Sequence, residues 1–260
     1  MVKKRLIGVV TVKDGWAVQS FGYKRYLPLG KPECLVENLD RWGTDEILVQ
    51  VIDRSKGLRG PDFDVLQRLA RLGLVTPLIY GGGISTIADG VQVIQSGADR
   101  LTVDALLHDQ LPVINGLSEQ LGAQAVIGSL PVAMGSEGIE WLDYRNKIPR
   151  RISQDVLDLL ESGVISEVMI SDWKNEGYPR GFDQRLIQEF PMNNVSLIAF
   201  GGLSEAGQLM ELLKYPNLSA VGIGNFLSYR EHAVQKYREA LVGMPLRPSV
   251  YDSKHFLCHD

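Results

Sequence analysis

"PLIYGGGISTIADG", residues 77–90, reads as a short apolar strand led by proline, three adjacent glycines, and a Ser-Thr pair that opens a helix. "SLIAFGGLSEAGQL", residues 196–209, repeats the arrangement downstream. One glycine-rich turn is a weak signal, but two in the same strand–turn–helix context ask for a common cause. On both sides of these turns, short β-branched runs alternate with amphipathic stretches. Candidate strands are 5–11, 46–51, 77–80, 99–104, 124–129, 167–171, 196–200 and 219–224, and helical patterns occupy 62–73, 154–163 and 204–213. Eight strand–helix units with no linker rich in Pro, Gly or Ser predict an α/β fold, a single (β/α)8 TIM barrel over residues 1–260. A doubly wound open sheet is the rival architecture, and evenly repeated units without an insert favour closure.

The chain also repeats itself at about 120 residues. "DEILVQVIDRSKG" (45–57) pairs with "SEVMISDWKNEG" (166–177), "GGGIST" (81–86) with "GGLSEA" (201–206), and "ADRLTVD" (98–104) with "LSAVGIG" (218–224). Strands 2, 3 and 4 therefore map onto strands 6, 7 and 8, as two half-barrels would require.

Composition bounds the rest. A chain of 260 residues with 45% hydrophobic residues can bury a large core, and a net charge of -4 argues against an electrostatic nucleic-acid binder. No apolar run reaches the roughly 20 residues of a membrane span. "MVKKRLIGVVTV" runs directly into Lys-Asp-Gly without a small-residue cleavage site, so it reads as a first strand. Cys34 and Cys258 lie far apart, and the 4 His form no ligand cluster, so a reduced, cytoplasmic chain with no metal and no cofactor is expected.

In such barrels the chemistry gathers at the C-terminal ends of the strands. Gly82 and Gly83 after strand 3, and Gly201 and Gly202 after strand 7, stand there. Glycine permits close backbone approach, and N–H groups at a helix start attract anions. Gly224 and Asn225, after strand 8, could share the second anion. Two such sites across one barrel mouth predict a phosphorylated small-molecule substrate with phosphate at both ends.

The start "KRLIGVVTVKDG", the "PLIYGGGIST" turn, "SGADRLTVD", "GFD" at 181–183 and the "FGG" turn together resemble the cyclase subunit of imidazole glycerol phosphate synthase. The resemblance runs across almost the whole chain and is weakest over 131–150 and the C-terminal tail. It implies a HisF-like lyase of histidine biosynthesis: a glutaminase subunit (HisH-like) docks beneath the barrel, and ammonia travels through its centre to a bisphosphorylated nucleotide intermediate. The related phosphoribosyl isomerase shares the half-barrel repeat.

The family places its catalytic acid and base at the ends of strands 1 and 5. Here those positions hold Thr11 and Pro131, neither of which exchanges a proton at neutral pH. Gln19 stands for the usual first-loop lysine, Val51 for the strand 2 acid, and Asp104 for the strand 4 asparagine. The polar candidates left at the mouth are Asp53, Asp104, Ser171 and Glu176, with Lys174 nearby. At the other end, Arg5, Glu46, Arg100 and Glu167 match the family's charged ring at the channel floor, and Asp99 matches a glutaminase-interface position. A surviving entry gate over a missing acid–base pair implies a specialised relative that delivers ammonia to other chemistry, with a sugar amidotransferase of surface-polysaccharide assembly as a further partner. A genuine cyclase, a scaffold that only activates a glutaminase, and an independent isomerase are the alternatives. The first loop, "WAVQSFGYKRYLPLG" (16–30), has the aromatics of a lid, or is simply a long surface loop.

Overall fold

The computed structural model describes residues 3–228 and 233–248. Cys258 lies outside the described residues, and Cys34 is exposed with a free thiol. Eight parallel strands form the barrel: β1 (Arg5–Lys13), β2 (Glu46–Val51), β3 (Leu78–Gly81), β4 (Arg100–Val103), β5 (Val126–Gly135), β6 (Glu167–Asp172), β7 (Ser196–Phe200) and β8 (Leu218–Ile223). Neighbours pair in chain order, and the pairing of Arg5 with Ala220 between β1 and β8 closes the cylinder. The open-sheet rival is excluded by that closure.

Period-two alternation sorts each strand into two cores. On β1, Leu6, Val10 and Val12 face the surrounding helices, whereas Ile7 and Val9 point into the barrel. Arg5 and Thr11 share the inward phase, one at each end of the strand. The helices bury one stripe against the outer faces. Phe63–Ala70 starts at Asp62, whose side chain accepts from the Val65 N–H, and buries Val65, Leu66 and Leu69. Each such side chain contributes about 1.5–3 kcal/mol by leaving water.

The units are not free of inserts. Two antiparallel hairpins grow from the top of the barrel. The first, Trp16–Phe21 with Arg25–Gly30, folds back on β1 through a turn at Asp14 (φ 49°) and Gly15 (φ 78°). Asp-Gly between alternating apolar residues is the sequence signature of that two-residue turn. The second, Gly138–Asp143 with Ile148–Arg150, continues β5 and occupies the stretch where the family resemblance fades.

Candidate functional site

At the N-terminal floor of the barrel, Arg5, Glu46, Arg100 and Glu167 close a ring of alternating charge. Arg5 Nη1 lies 3.3 Å from Glu46 Oε1, Arg100 Nη1 lies 3.5 Å from the same oxygen, and Arg100 Nη2 lies 2.7 Å from Glu167 Oε2. Arg5 Nη2 completes the circuit on Glu167 Oε1, and the Ser219 hydroxyl also donates to that oxygen. Burial disfavours ionisation of both carboxylates. At Glu167 the opposing pull of Arg5, Arg100 and Ser219 wins and holds the carboxyl below its usual range. At Glu46 burial wins and pushes the carboxyl up. Asp99 lies exposed beside the ring, its Oδ2 accepting from the Leu78 N–H at 2.8 Å.

Above the ring the barrel interior is apolar, built from Ile7, Leu48, Ile79, Ile127, Met169 and Ile198. It opens at the C-terminal end into a cavity of about 750 Å³ lined by Thr11, Pro131, Asp53, Asp104 and Glu176, among others. Thr11 pairs with Gln50 of β2, and Pro131 pairs with Ser171 of β6, so the two lie on separate walls. Asp53 is neutralised by Arg59. Among the described residues, no group of three or more His, Cys, Asp or Glu side chains is placed to hold a metal ion, and no helix is long and apolar enough to cross a membrane.

Two tyrosines from the hairpins enter this mouth, and sequence reasoning singled out neither. Tyr23 sits at the tip of the first hairpin with Gly22, both at φ 57°, a left-handed conformation uncommon for tyrosine. Its hydroxyl is buried beside Ser171, and burial first, then the Glu176 charge, pushes its pKa up. Ser171 is fully buried, and its Oγ meets no partner at full hydrogen-bond geometry. Glu176 is buried too; its Oε2 accepts from Ser20 Oγ at 3.0 Å, and its carboxyl is pushed up to about 7 by burial. Tyr144, from the second hairpin, stands beside Asp104. Burial pushes the Asp104 carboxyl up, against the Ala105 N–H it accepts and the Tyr144 hydroxyl. His108 stacked on Trp141, with centroids 3.6 Å apart, docks that hairpin on the helix Ala105–Asp109. The only sequence sign of the first tyrosine was the aromatic first loop; the second left none.

The glycine turns obey the half-barrel symmetry in detail. Gly82 and Gly201 have φ 120° and 97°, and Gly83 and Gly202 have φ 76° and 77°. A Cβ on Gly82 would lie 2.1 Å from the Val51 carbonyl oxygen, and one on Gly201 would lie 2.7 Å from that of Asp172, the ends of β2 and β6. Each turn therefore packs its backbone on the preceding βα loop. Their capping differs. Thr86 and Asp89 form a capping box on the first-half helix Ile87–Gln95, and Asp104 caps Ala105. In the second half Glu205 makes no side-chain cap, and the Ser204 N–H donates to Gln208 Oε1 at 3.2 Å, as the Ser85 N–H does to Asp89. Asn225, expected at a phosphate, uses its carboxamide elsewhere: Oδ1 accepts from Ser20 N at 3.2 Å, and Nδ2 donates to Ser20 O at 2.7 Å.

The family profile described as Histidine biosynthesis protein matches residues 5–233. A Vibrio vulnificus (strain YJ016) protein whose name, given provisionally, is imidazole glycerol phosphate synthase subunit hisF2 is 30% identical over 237 residues, covering 90% of this chain and 86% of its own. The imidazole glycerol phosphate synthase subunit HisF of Staphylococcus saprophyticus is 28% identical over 253 residues, 95% of this chain and 100% of its own. That of Caulobacter vibrioides (strain NA1000 / CB15N) is 25% identical over 254 residues, 95% of this chain and 97% of its own. With its closed barrel, half-barrel repeat and match along nearly the whole length, the chain is a divergent member of the HisF family of histidine biosynthesis proteins.

Proposed function

We propose that this chain is the ammonia-receiving barrel subunit of a glutamine-dependent system, specialised away from the usual cyclisation. One observation carries the reading: a closed ring of Arg5, Glu46, Arg100 and Glu167 lies under an apolar interior, while the mouth above presents Thr11 and Pro131 where acid and base would act. Paired charges at the floor satisfy one another at a site where single charges would be costly. A glutaminase subunit docks beneath the barrel near Asp99 and releases ammonia into it. At the mouth, Lys24, Lys56 and Lys147 line the cavity and favour an anionic ligand. The second-half turn, with Gly201, Gly202 and Gly224, holds the phosphate of a small-molecule ligand through its backbone N–H groups. The ammonia is handed onward in the cytoplasm, in the specialised case to a sugar amidotransferase of surface-polysaccharide assembly.

A retained cyclase with relocated acids is the second reading, and it rests on Glu176, whose carboxyl is pushed up to about 7 at the mouth. Ammonia-dependent turnover of the bisphosphorylated cyclase intermediate by the purified protein separates the two. Turnover at ordinary enzyme rates, ~1–1000 per second, restores the cyclase; turnover near background supports the specialised subunit.

A further inference from the structure

The floor ring is not evenly satisfied. Glu167 spends both carboxylate oxygens: Oε1 takes Arg5 and the Ser219 hydroxyl, and Oε2 takes Arg100 at 2.7 Å. Glu46 spends only one. Arg5 at 3.3 Å and Arg100 at 3.5 Å both reach its Oε1, while Oε2 is buried and meets no hydrogen-bond partner among the described residues. A buried carboxylate oxygen left bare carries a desolvation cost that a small molecule with a donor would remove. Glu46 pairs with Ile7 between β1 and β2, and Leu48 is the next inward residue on β2. The residue therefore stands where the charged floor meets the apolar interior. Below it lies a cavity of about 500 Å³, lined by Arg5, Glu46, Arg100 and Glu167 among others.

The chemistry of that place selects its occupant. The ring arginines leave no buried donor over, so an acceptor stands there without a matching donor. Water would bring lone pairs that find nothing to meet. Ammonia brings three N–H donors and a single lone pair, and so loses least. Ammonium is richer still in donors, but it is a cation. Arg5, Arg100 and Arg247 already bear on Glu46, with Glu167 alone on the opposite side of the balance, and a further positive charge is disfavoured.

We propose that Glu46 is the docking residue of the ring: its bare Oε2 accepts an N–H of neutral ammonia as the molecule passes from the floor cavity to the apolar interior. This rests on the reading of the chain as an ammonia-receiving subunit, and it names the ring member and the atom that receive the ligand. Glu167, with both oxygens engaged, anchors the two arginines.

The test is methyl NMR of the purified chain, labelled at isoleucine and leucine methyls. Ammonium chloride is the probe, and sodium chloride and potassium chloride at equal ionic strength are the blanks at each pH. Methyls of Ile7, Leu48 and Ile79, which line the interior above the ring, should shift saturably with ammonium chloride alone. At constant total ammonium the shifts should grow from pH 7 to pH 9, as ammonium gives up its proton to become ammonia. Glu46→Gln removes the charge and should weaken the response at least about tenfold, because a hydrogen bond to an ionised acceptor is the stronger kind. The wild-type comparison needs no variant, so misfolding of the Gln form leaves the test intact. Equal shifts with potassium chloride, no ammonium-specific shift, shifts that do not grow with pH, or an undiminished response in a folded Glu46→Gln protein each overturn the docking role. Such a failure leaves the ammonia-receiving reading standing where a glutaminase subunit hydrolyses glutamine faster with this chain bound. Glutamine hydrolysis indifferent to this chain removes that reading, and this inference with it.

Discussion

Arg100 and Glu167 meet at 2.7 Å beneath the barrel, although their strands β4 and β6 are not neighbours in the sheet. The contact passes over β5, and the Arg5–Glu167 pair joins β1 to β6, so side chains from four strands meet at the floor. With a glutaminase partner, Arg5→Ala is expected to lower glutamine-driven amidation while amidation driven by free ammonium persists. Removing one member of a buried charge network can cost about 3–5 kcal/mol, so a thermal melt accompanies the kinetics. A folded variant with unchanged glutamine-driven product makes the ring purely structural.

Thr11 and Pro131 set the second expectation. General acid–base catalysis contributes on the order of a hundred- to ten-thousand-fold per group, so cyclisation of the family substrate should fall short by about that factor for each missing acid. Thr11→Asp is the direct check, because Thr11 lines the cavity. A rise in ammonia-dependent product with this variant supports the assignment of the missing role. No change from an already fast wild type defeats it.

Glu176 links stability to pH. Its folded pKa of about 7 lies above the ordinary glutamate value of 4.5, so the folded state prefers the protonated carboxyl. That contribution is fully present below pH ~4.5 and is lost as pH rises through about 7. At about 1.4 kcal/mol per pKa unit, it amounts to up to about 3 kcal/mol. Glu176→Gln keeps an acceptor for Ser20 and stays neutral. The variant should therefore overtake the wild type in denaturant stability between pH 5 and 8. Parallel pH profiles for the two proteins refute the linkage.

The glycine turns predict a packing penalty. A Cβ on Gly83 would lie 2.2 Å from the Gly60 carbonyl oxygen, and one on Gly202 would lie 2.7 Å from Phe182 N, both at left-handed φ. Gly83→Ala and Gly202→Ala should each cost about 2–4 kcal/mol from backbone strain and overpacking together. Gly207 is the control: a Cβ there meets nothing within 4 Å, and the residue lies in the helix Ala206–Leu212. Gly207→Ala should stabilise by up to about 1 kcal/mol. Equal chemical-denaturation midpoints for all three variants would remove the close-packing account.

The order of the eight strands, their helices and the half-barrel repeat were legible in the sequence, because period, glycine punctuation and internal similarity are local properties of the chain. So were the positions of Arg5, Glu46, Arg100 and Glu167, since each stands at the start of a strand and matches the charged ring of the family that the chain resembles. Asp14–Gly15 is a local turn signal as well, and it starts a hairpin within the first βα loop. What occupies the mouth was decided only by tertiary structure. Asn225 clamps Ser20 across 205 residues of chain, and that clamp helps place the hairpin that carries Tyr23 beside Ser171. The capping of Ala105 by Asp104 likewise depends on side-chain direction. A loop side chain takes its direction from contacts made after the barrel has closed, and no local pattern in the chain encodes those contacts.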